Sequence, residues 1–210
     1  MSTNTARELV TGEDGGAYTL SFVMAMPFLV LFICVVIETS FMLVAKIGTI
    51  YASFAGARTA IVWDSLDSSS ATDGMVEQAA IRAFIPFSSG GVVSASSADR
   101  RFTEYLQEHA SQMKNLGRTP ANSNYLDSKA AYAARAMTVA FKRTPRGGNI
   151  WDEDLTVEVN YAFPFAVPGV GRIFGTRGPD GYVYAITSRT TLPNEIPQNE
   201  ERSLGIQYGR

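Results

Sequence analysis

The sequence predicts an α+β protein: a long N-terminal transmembrane α-helix, then a small helical domain with a C-terminal antiparallel β-hairpin or small sheet. Three observations carry this. Ala17 to Ile37 is an uncharged apolar run of 21 residues, about the length that crosses a hydrocarbon core as a helix. Residues 75–143 show apolar positions at helical spacing. Leu155 to Phe163 alternates apolar and polar side chains, the signature of a half-buried strand. With 210 residues, the chain has room for an anchor and one modest domain.

Composition excludes several functions. One His and one Cys exclude a Cys/His zinc site, a multi-histidine metal centre and an internal disulfide. His109 and Cys34 are a weak nucleophile and base pair, because a thiolate inside the apolar run would be desolvated. The balance of 18 basic and 20 acidic residues, net charge −2, gives no basic field for a nucleic acid. Mean hydropathy of +0.01 resembles a soluble protein only because the apolar mass is concentrated between residues 17 and 47.

The first element is the anchor. After the charge at Glu38 the apolar run resumes as Thr39-Ser40-Phe41-Met42-Leu43-Val44-Ala45 before Lys46, so it exceeds one crossing and its end projects beyond the bilayer. Pro27 removes one backbone donor and predicts a kink. A cleaved secretory signal is the competing reading, but such apolar regions span about 7–15 residues and end at an A-x-A-like site; Ser53-Phe54-Ala55 is a superficial match. An intramembrane carboxylate is a functional candidate. Glu38, however, stands about 31 Å along a helix that enters at Ala17, which places it at the far interface; the alternative is pairing with a partner helix.

Helical spacing continues through Ile47, Ile50, Tyr51, Phe54, Arg58, Ile61 and Val62, so one helix is expected from 17 to 63. Gly48 and Gly56 each weaken it by about 1 kcal/mol relative to Ala, but they also permit close helix contact. Asp64 to Gly74 is rich in Ser and Asp and is expected as a loop; its three carboxylates lack EF-hand spacing. A short helix follows over Met75–Phe84, stopping before Pro86, and Ser88-Ser89-Gly90-Gly91 makes a flexible connection. Residues 99–116 align Phe102, Tyr105, Leu106, His109, Met113 and Leu116 on one stripe ending at a Gly117 cap, with His109 read as a packing residue. An Ala-rich helix is expected over Tyr125–Arg143. The strand at 155–163 and a second at Tyr182–Thr191 form the hairpin; between them a Pro- and Gly-rich apolar loop either touches membrane or partner or folds back on the hairpin. Two strands alone are marginal, so the three post-membrane helices are expected to cover one face. Residues 193–210 lack periodicity and read as a flexible tail.

Two stretches resemble a known family. Gly15-Gly16-Ala17-Tyr18-Thr19-Leu20-Ser21-Phe22, a polar leader ending in Gly before an apolar helix, resembles the class III signal of the type IV pilin superfamily. With Tyr51-Ala52-Ser53-Phe54-Ala55-Gly56-Ala57-Arg58-Thr59-Ala60, the 155–165 segment and the closing Tyr182-Val-Tyr-Ala-Ile-Thr-Ser-Arg-Thr, the chain is similar to TadE-like minor pseudopilins of the tight-adherence (Tad) pilus system. The resemblance covers residues 15–63 and 154–192. It implies a leader at 1–16 cut by a prepilin peptidase between Gly16 and Ala17 on the cytoplasmic side. The fifth mature residue is usually Glu in that family; here it is Ser21, which cannot supply the carboxylate.

The expectation is therefore a non-enzymatic assembly component without a cofactor. The resemblance implies a single-pass protein of the inner (cytoplasmic) membrane, with its 64–192 domain extracytoplasmic (periplasmic). Its expected partners are the prepilin peptidase, other pilins and pseudopilins, the pilus assembly platform and the lipid bilayer. Ser21, Pro27, Glu38, Gly48 and Gly56 are the expected packing and assembly positions. The orientation follows from cleavage inside, since Arg7 before the span and Lys46 and Arg58 after it decide little by charge. The rival readings are an envelope-anchored binding module with an uncleaved signal anchor, unrelated to pili, and an envelope hydrolase, which lacks a Gly-x-Ser-x-Gly elbow.

Overall fold

The computed structural model describes residues 13–64, 70–89, 100–117, 123–145, 153–178 and 181–194. The apolar run forms one helix, α1 (Glu13–Asp64), which continues through Pro27. Its apolar part, Thr19–Trp63, is 45 residues long, or about 68 Å, more than twice a hydrocarbon core of about 30 Å. From Thr19 to Ile37 nearly every side chain is exposed; from Glu38 onward one stripe is buried. That stripe is Glu38, Ala45, Thr49, Ala52, Gly56 and Ala60, recurring at helical spacing, and after Glu38 it is built from small residues.

Small residues are required because α1 lies directly on its neighbours. A Cβ at Gly56 would stand 3.2 Å from Val157, and one at Gly48 would stand 2.6 Å from Cγ of Phe87 and 3.0 Å from the Phe84 ring. The close helix contact expected of these glycines is thus made within the chain. α2 (Ser70–Phe84) packs on α1 and presents Val76, Ala80, Ile81 and Phe84 to the core. Pro86 starts a single 3-10 turn, Ile85–Phe87.

α2 begins five residues before the expected Met75 and takes in Ser70 to Gly74, part of the expected loop; residues 65–69 lie outside the described ones. Ser and Asp favour turns, but they equally favour the first turn of a helix, where Asp73 meets the positive end of the dipole. α3 (Arg100–Asn115) and α4 (Ser123–Ala136) follow. Gly117 closes α3 with φ of +68°, its N–H donating to the Lys114 carbonyl at 3.0 Å, as the spacing predicted. The side chain of His109 lies outside the described residues.

The expected helix over Tyr125–Arg143 is corrected at its midpoint. It ends at Ala136, and Met137–Pro145 is strand β1. Met137, Val139 and Phe141 satisfy a two-residue period there, and the long-range pairing of Met137 with Tyr161, Val139 with Val159 and Phe141 with Val157 decides between the periods. β2 (Glu153–Pro164) buries Leu155, Val157, Val159, Tyr161 and Phe163, the predicted face. The segment 163–175, expected as a loop, contains a short helix, α5 (Pro168–Phe174). β3 (Thr176–Gly178) and β4 (Gly181–Asn194) complete the sheet.

The four strands run in the order β1-β2-β4-β3, all antiparallel. The expected hairpin is thus the centre of a small sheet, and β4 extends through Asn194 into the segment expected as tail. Its inner face is covered by α1 and α2 more than by the later helices. That corrects the expectation that the three post-membrane helices do this work: the anchor helix is itself half of the core. Lys46 donates to the Thr187 carbonyl of β4, and Ser53 and Thr190 share a hydroxyl hydrogen bond of 2.7 Å, fixing α1 along β4.

The glycine contacts give an expected outcome. Gly48→Val should lower stability by about 1–3 kcal/mol through overpacking against Phe87, although Gly is the poorer helix former. Gly74→Ala, with nothing within 4 Å of its Cβ, should raise stability by up to about 1 kcal/mol. Thermal unfolding of the full chain followed by circular dichroism in detergent checks both signs.

Candidate functional site

The exposed apolar part of the helix ends at Glu38. This carboxylate is only 2 % exposed, and its Oε1 accepts a hydrogen bond of 2.6 Å from the backbone N–H of Val167. Val167 is the N-cap residue of α5. Its partner is a backbone amide of the same chain, which neither the interfacial reading nor pairing with a partner helix specified. From Thr19 to Glu38 the helix rises about 28 Å, close to one hydrocarbon thickness, so this part of α1 is long and apolar enough to be a candidate membrane span.

The α5 segment is shaped to reach this position. Gly171 N–H donates to the Val167 carbonyl at 3.1 Å, and Gly175 N–H to the Gly171 carbonyl at 2.8 Å. A Cβ at Gly171 would stand 2.8 Å from Cβ of Tyr182 and 2.9 Å from that of Phe165, so the turn closes tightly on Phe165. Phe163 and Phe165 meet edge to face at 5.8 Å. Val170 is buried, whereas Ile173 and Phe174 stay exposed beside Arg172. The segment therefore folds back on the sheet, the second of the two readings of it, while Ile173 and Phe174 stay exposed.

On the membrane side of Glu38, Val23, Pro27, Val30 and Cys34 share one helix face and, with Val167, line an open apolar groove of about 650 Å³. On the other side lies a cleft of about 400 Å³ whose lining includes Glu38, Phe41, Tyr125 and Lys129. Above the cleft, Tyr161 forms the aromatic centre of the domain. Its ring lies 4.4 Å from Phe84 and 6.1 Å from Tyr132, and its hydroxyl meets Ser89 Oγ at 2.8 Å. Burial pushes the Tyr161 hydroxyl above its ordinary pKa of 10.0, against the opposing hydrogen bonds from Ser89.

The remaining predicted positions are dispersed. Gly16 and Ala17 lie in the first turns of α1, so the proposed scissile bond is helical and the peptidase would have to unwind it. Ser21 is exposed on the helix, about one turn beyond Ala17. Pro27 lines the apolar groove, while Gly48 and Gly56 face the protein's own core. Among the described residues no group of three or more His, Cys, Asp or Glu side chains could hold a metal ion.

Sequence reasoning missed three participants. Val167 contributes only a backbone amide, Lys129 lay in a helix read only as Ala-rich, and Tyr161 was read simply as a strand residue. The period-2 alternation marks Tyr161 as inward-facing, the one signal that could have found it. Comparison with known proteins found no match: no family model, no curated protein and no solved structure aligns significantly with the chain.

Tyr161 yields a pH dependence. Its folded pKa is raised above the unfolded value, so the stability it contributes is complete below pH 10 and is lost as pH rises through the alkaline range. Denaturant titrations between pH 8 and roughly pH 11 should show this loss in the wild type. Tyr161→Phe should be less stable at neutral pH by about 1 kcal/mol for the lost hydrogen bond, with a flatter alkaline decline.

Proposed function

We propose that this chain is a membrane-anchored, non-enzymatic assembly subunit of the pilin type, a TadE-like minor pseudopilin that packs its long helix against other pilin-type helices. The observation that carries the reading is the outward face of α1 beyond Glu38. There the sheet and α2 cover one side, while Leu43, Ile47, Ile50 and Phe54 recur at helical spacing on the other and remain 43–61 % exposed. This face extends past the length a bilayer can cover. A contiguous exposed apolar stripe of that kind marks an interaction surface, and its partner would be another long apolar helix.

Prepilin-type processing then removes residues 1–16 on the cytoplasmic side, and the sheet domain stands on the opposite side of the membrane. The peptidase, neighbouring pilins and the assembly platform are the partners in this proposal. Ser21 supplies no carboxylate at the fifth mature position, so lateral packing must rest on the apolar stripe. The uncleaved signal-anchor reading draws support from the continuous helix across Gly16–Ala17 and from Ser21 itself, and one experiment separates the two.

N-terminal sequencing or intact-mass analysis of protein from native membranes should find a chain beginning at Ala17. Gly16→Leu should leave the leader attached when a prepilin peptidase is co-expressed. A mature protein that begins at Met1, or equal processing of Gly16→Leu, overturns the pseudopilin reading and favours the signal anchor. A periplasmic reporter fused after Arg210 should be active in either case.

A further inference from the structure

The cleft beside Glu38 holds a charge that the protein leaves half satisfied. Glu38 Oε1 is used by Val167, but Oε2 is buried and has no hydrogen-bond partner among the described residues. An unpartnered buried carboxylate oxygen is costly, and it is satisfied when a donor, best a cationic one, enters the cleft. Lys129 lines the same cleft. Its ammonium gives one hydrogen to the Pro86 carbonyl at 2.8 Å and lies 5.2 Å from the Tyr125 ring centre, which leaves donors to spare. Carboxylate and ammonium are thus presented to one cavity, each bonded to a backbone group and neither to the other.

We propose that this cleft binds the headgroup of an ethanolamine phospholipid from the leaflet at the Glu38 end of the span, the lipid's ammonium on Glu38 and its phosphate on Lys129. The headgroup's two charges are equal in number and opposite in sign to those of the two side chains they meet. An ethanolamine ammonium carries N–H donors for Oε2, whereas a choline carries none and a glycerol headgroup carries no cation. The cleft volume of about 400 Å³ falls within the range of small-ligand sites, and Phe41 and Val44 supply apolar wall. The position along the helix is that of a headgroup layer, about 28 Å from Thr19. On the membrane side of the same bond, the groove along Val23, Pro27, Val30 and Cys34 reaches Val167, giving an acyl chain a place to lie below the headgroup. The inference rests on α1 crossing the bilayer between Thr19 and Glu38 and stands whether or not the chain joins a pilus.

The test uses the full chain reconstituted in nanodiscs containing equal ethanolamine and choline phospholipids with identical acyl chains, then released into mild detergent for native mass spectrometry. The wild type should retain the ethanolamine lipid about 10-fold over the choline lipid, the discrimination expected of one charge-assisted hydrogen bond. Glu38→Gln keeps an acceptor for Val167 and the fold with it, yet should bring that ratio close to one. Lys129→Met should reduce retention of both phospholipids. Soluble phosphoethanolamine, which lacks acyl chains, should not displace the retained lipid at millimolar concentration. Equal retention of both lipids by the wild type, or unchanged behaviour of both variants, overturns the proposal. Full displacement by phosphoethanolamine also overturns it, assigning the cleft to a soluble ligand.

Discussion

A carboxylate cannot sit unpaired at the end of a bilayer-length apolar helix while buried under protein, because ionised groups in such surroundings must find donors. Glu38 finds one in the Val167 amide. That bond joins the point where the exposed apolar part of α1 ends to the point where the segment after β2 turns back towards the helix. On one side of it α1 is apolar on every face; on the other α1 is a core element with a narrow buried seam. The domain therefore packs directly on the continuation of the exposed apolar helix and does not hang from it on a linker.

The rigidity depends on small residues. Ala45, Ala52, Ala57 and Ala60 are buried in α1, and Gly48 and Gly56 admit Phe87 and Val157 into near contact with the helix backbone. Larger side chains would hold the helix away from β2 and open the aromatic cluster of Phe84, Tyr132 and Tyr161. The segment around Ala55-Gly56-Ala57-Arg58 thus has a structural cause of its own: it is the surface through which the long apolar helix doubles as a wall of the domain's core. What that arrangement leaves over is the opposite face, with Leu43, Ile47, Ile50 and Phe54 uncovered. The proposed assembly role is the simplest use for it.

Elements whose signal is local were legible in the sequence. The uncharged run gave the anchor, alternation gave β2 and its inward face, and Gly117 marked the end of α3. Elements decided by distant partners were not. Met137–Pro145 satisfies a strand period only weakly after an Ala-rich helix, and its pairing with β2 settles the matter. Ser70 to Gly74 carries residues that suit a loop and a helix start equally. At the candidate site, Glu38 stood out as the lone charge in the apolar stretch, but its partner lies 129 residues away and is a backbone amide, which leaves no trace in the identity of a side chain. Lys129 and Tyr161 likewise acquire their places only when α4 and β2 close around the 3-10 turn at Ile85–Phe87.

The Glu38–Val167 bond fastens the sheet domain to the point where the exposed apolar part of α1 ends. Amide hydrogen exchange of Val167 in the full chain, measured in lipid for the wild type, Glu38→Gln and Glu38→Ala, tests it most directly. Exchange should be slow in the wild type and in Glu38→Gln, which keeps an acceptor oxygen. In Glu38→Ala it should rise roughly 10- to 100-fold, the range expected when a buried amide loses its only acceptor, with the rise confined to the α5 segment and β2 unchanged. Fast exchange at Val167 in the wild type, or no change on removing the carboxylate, would contradict the account.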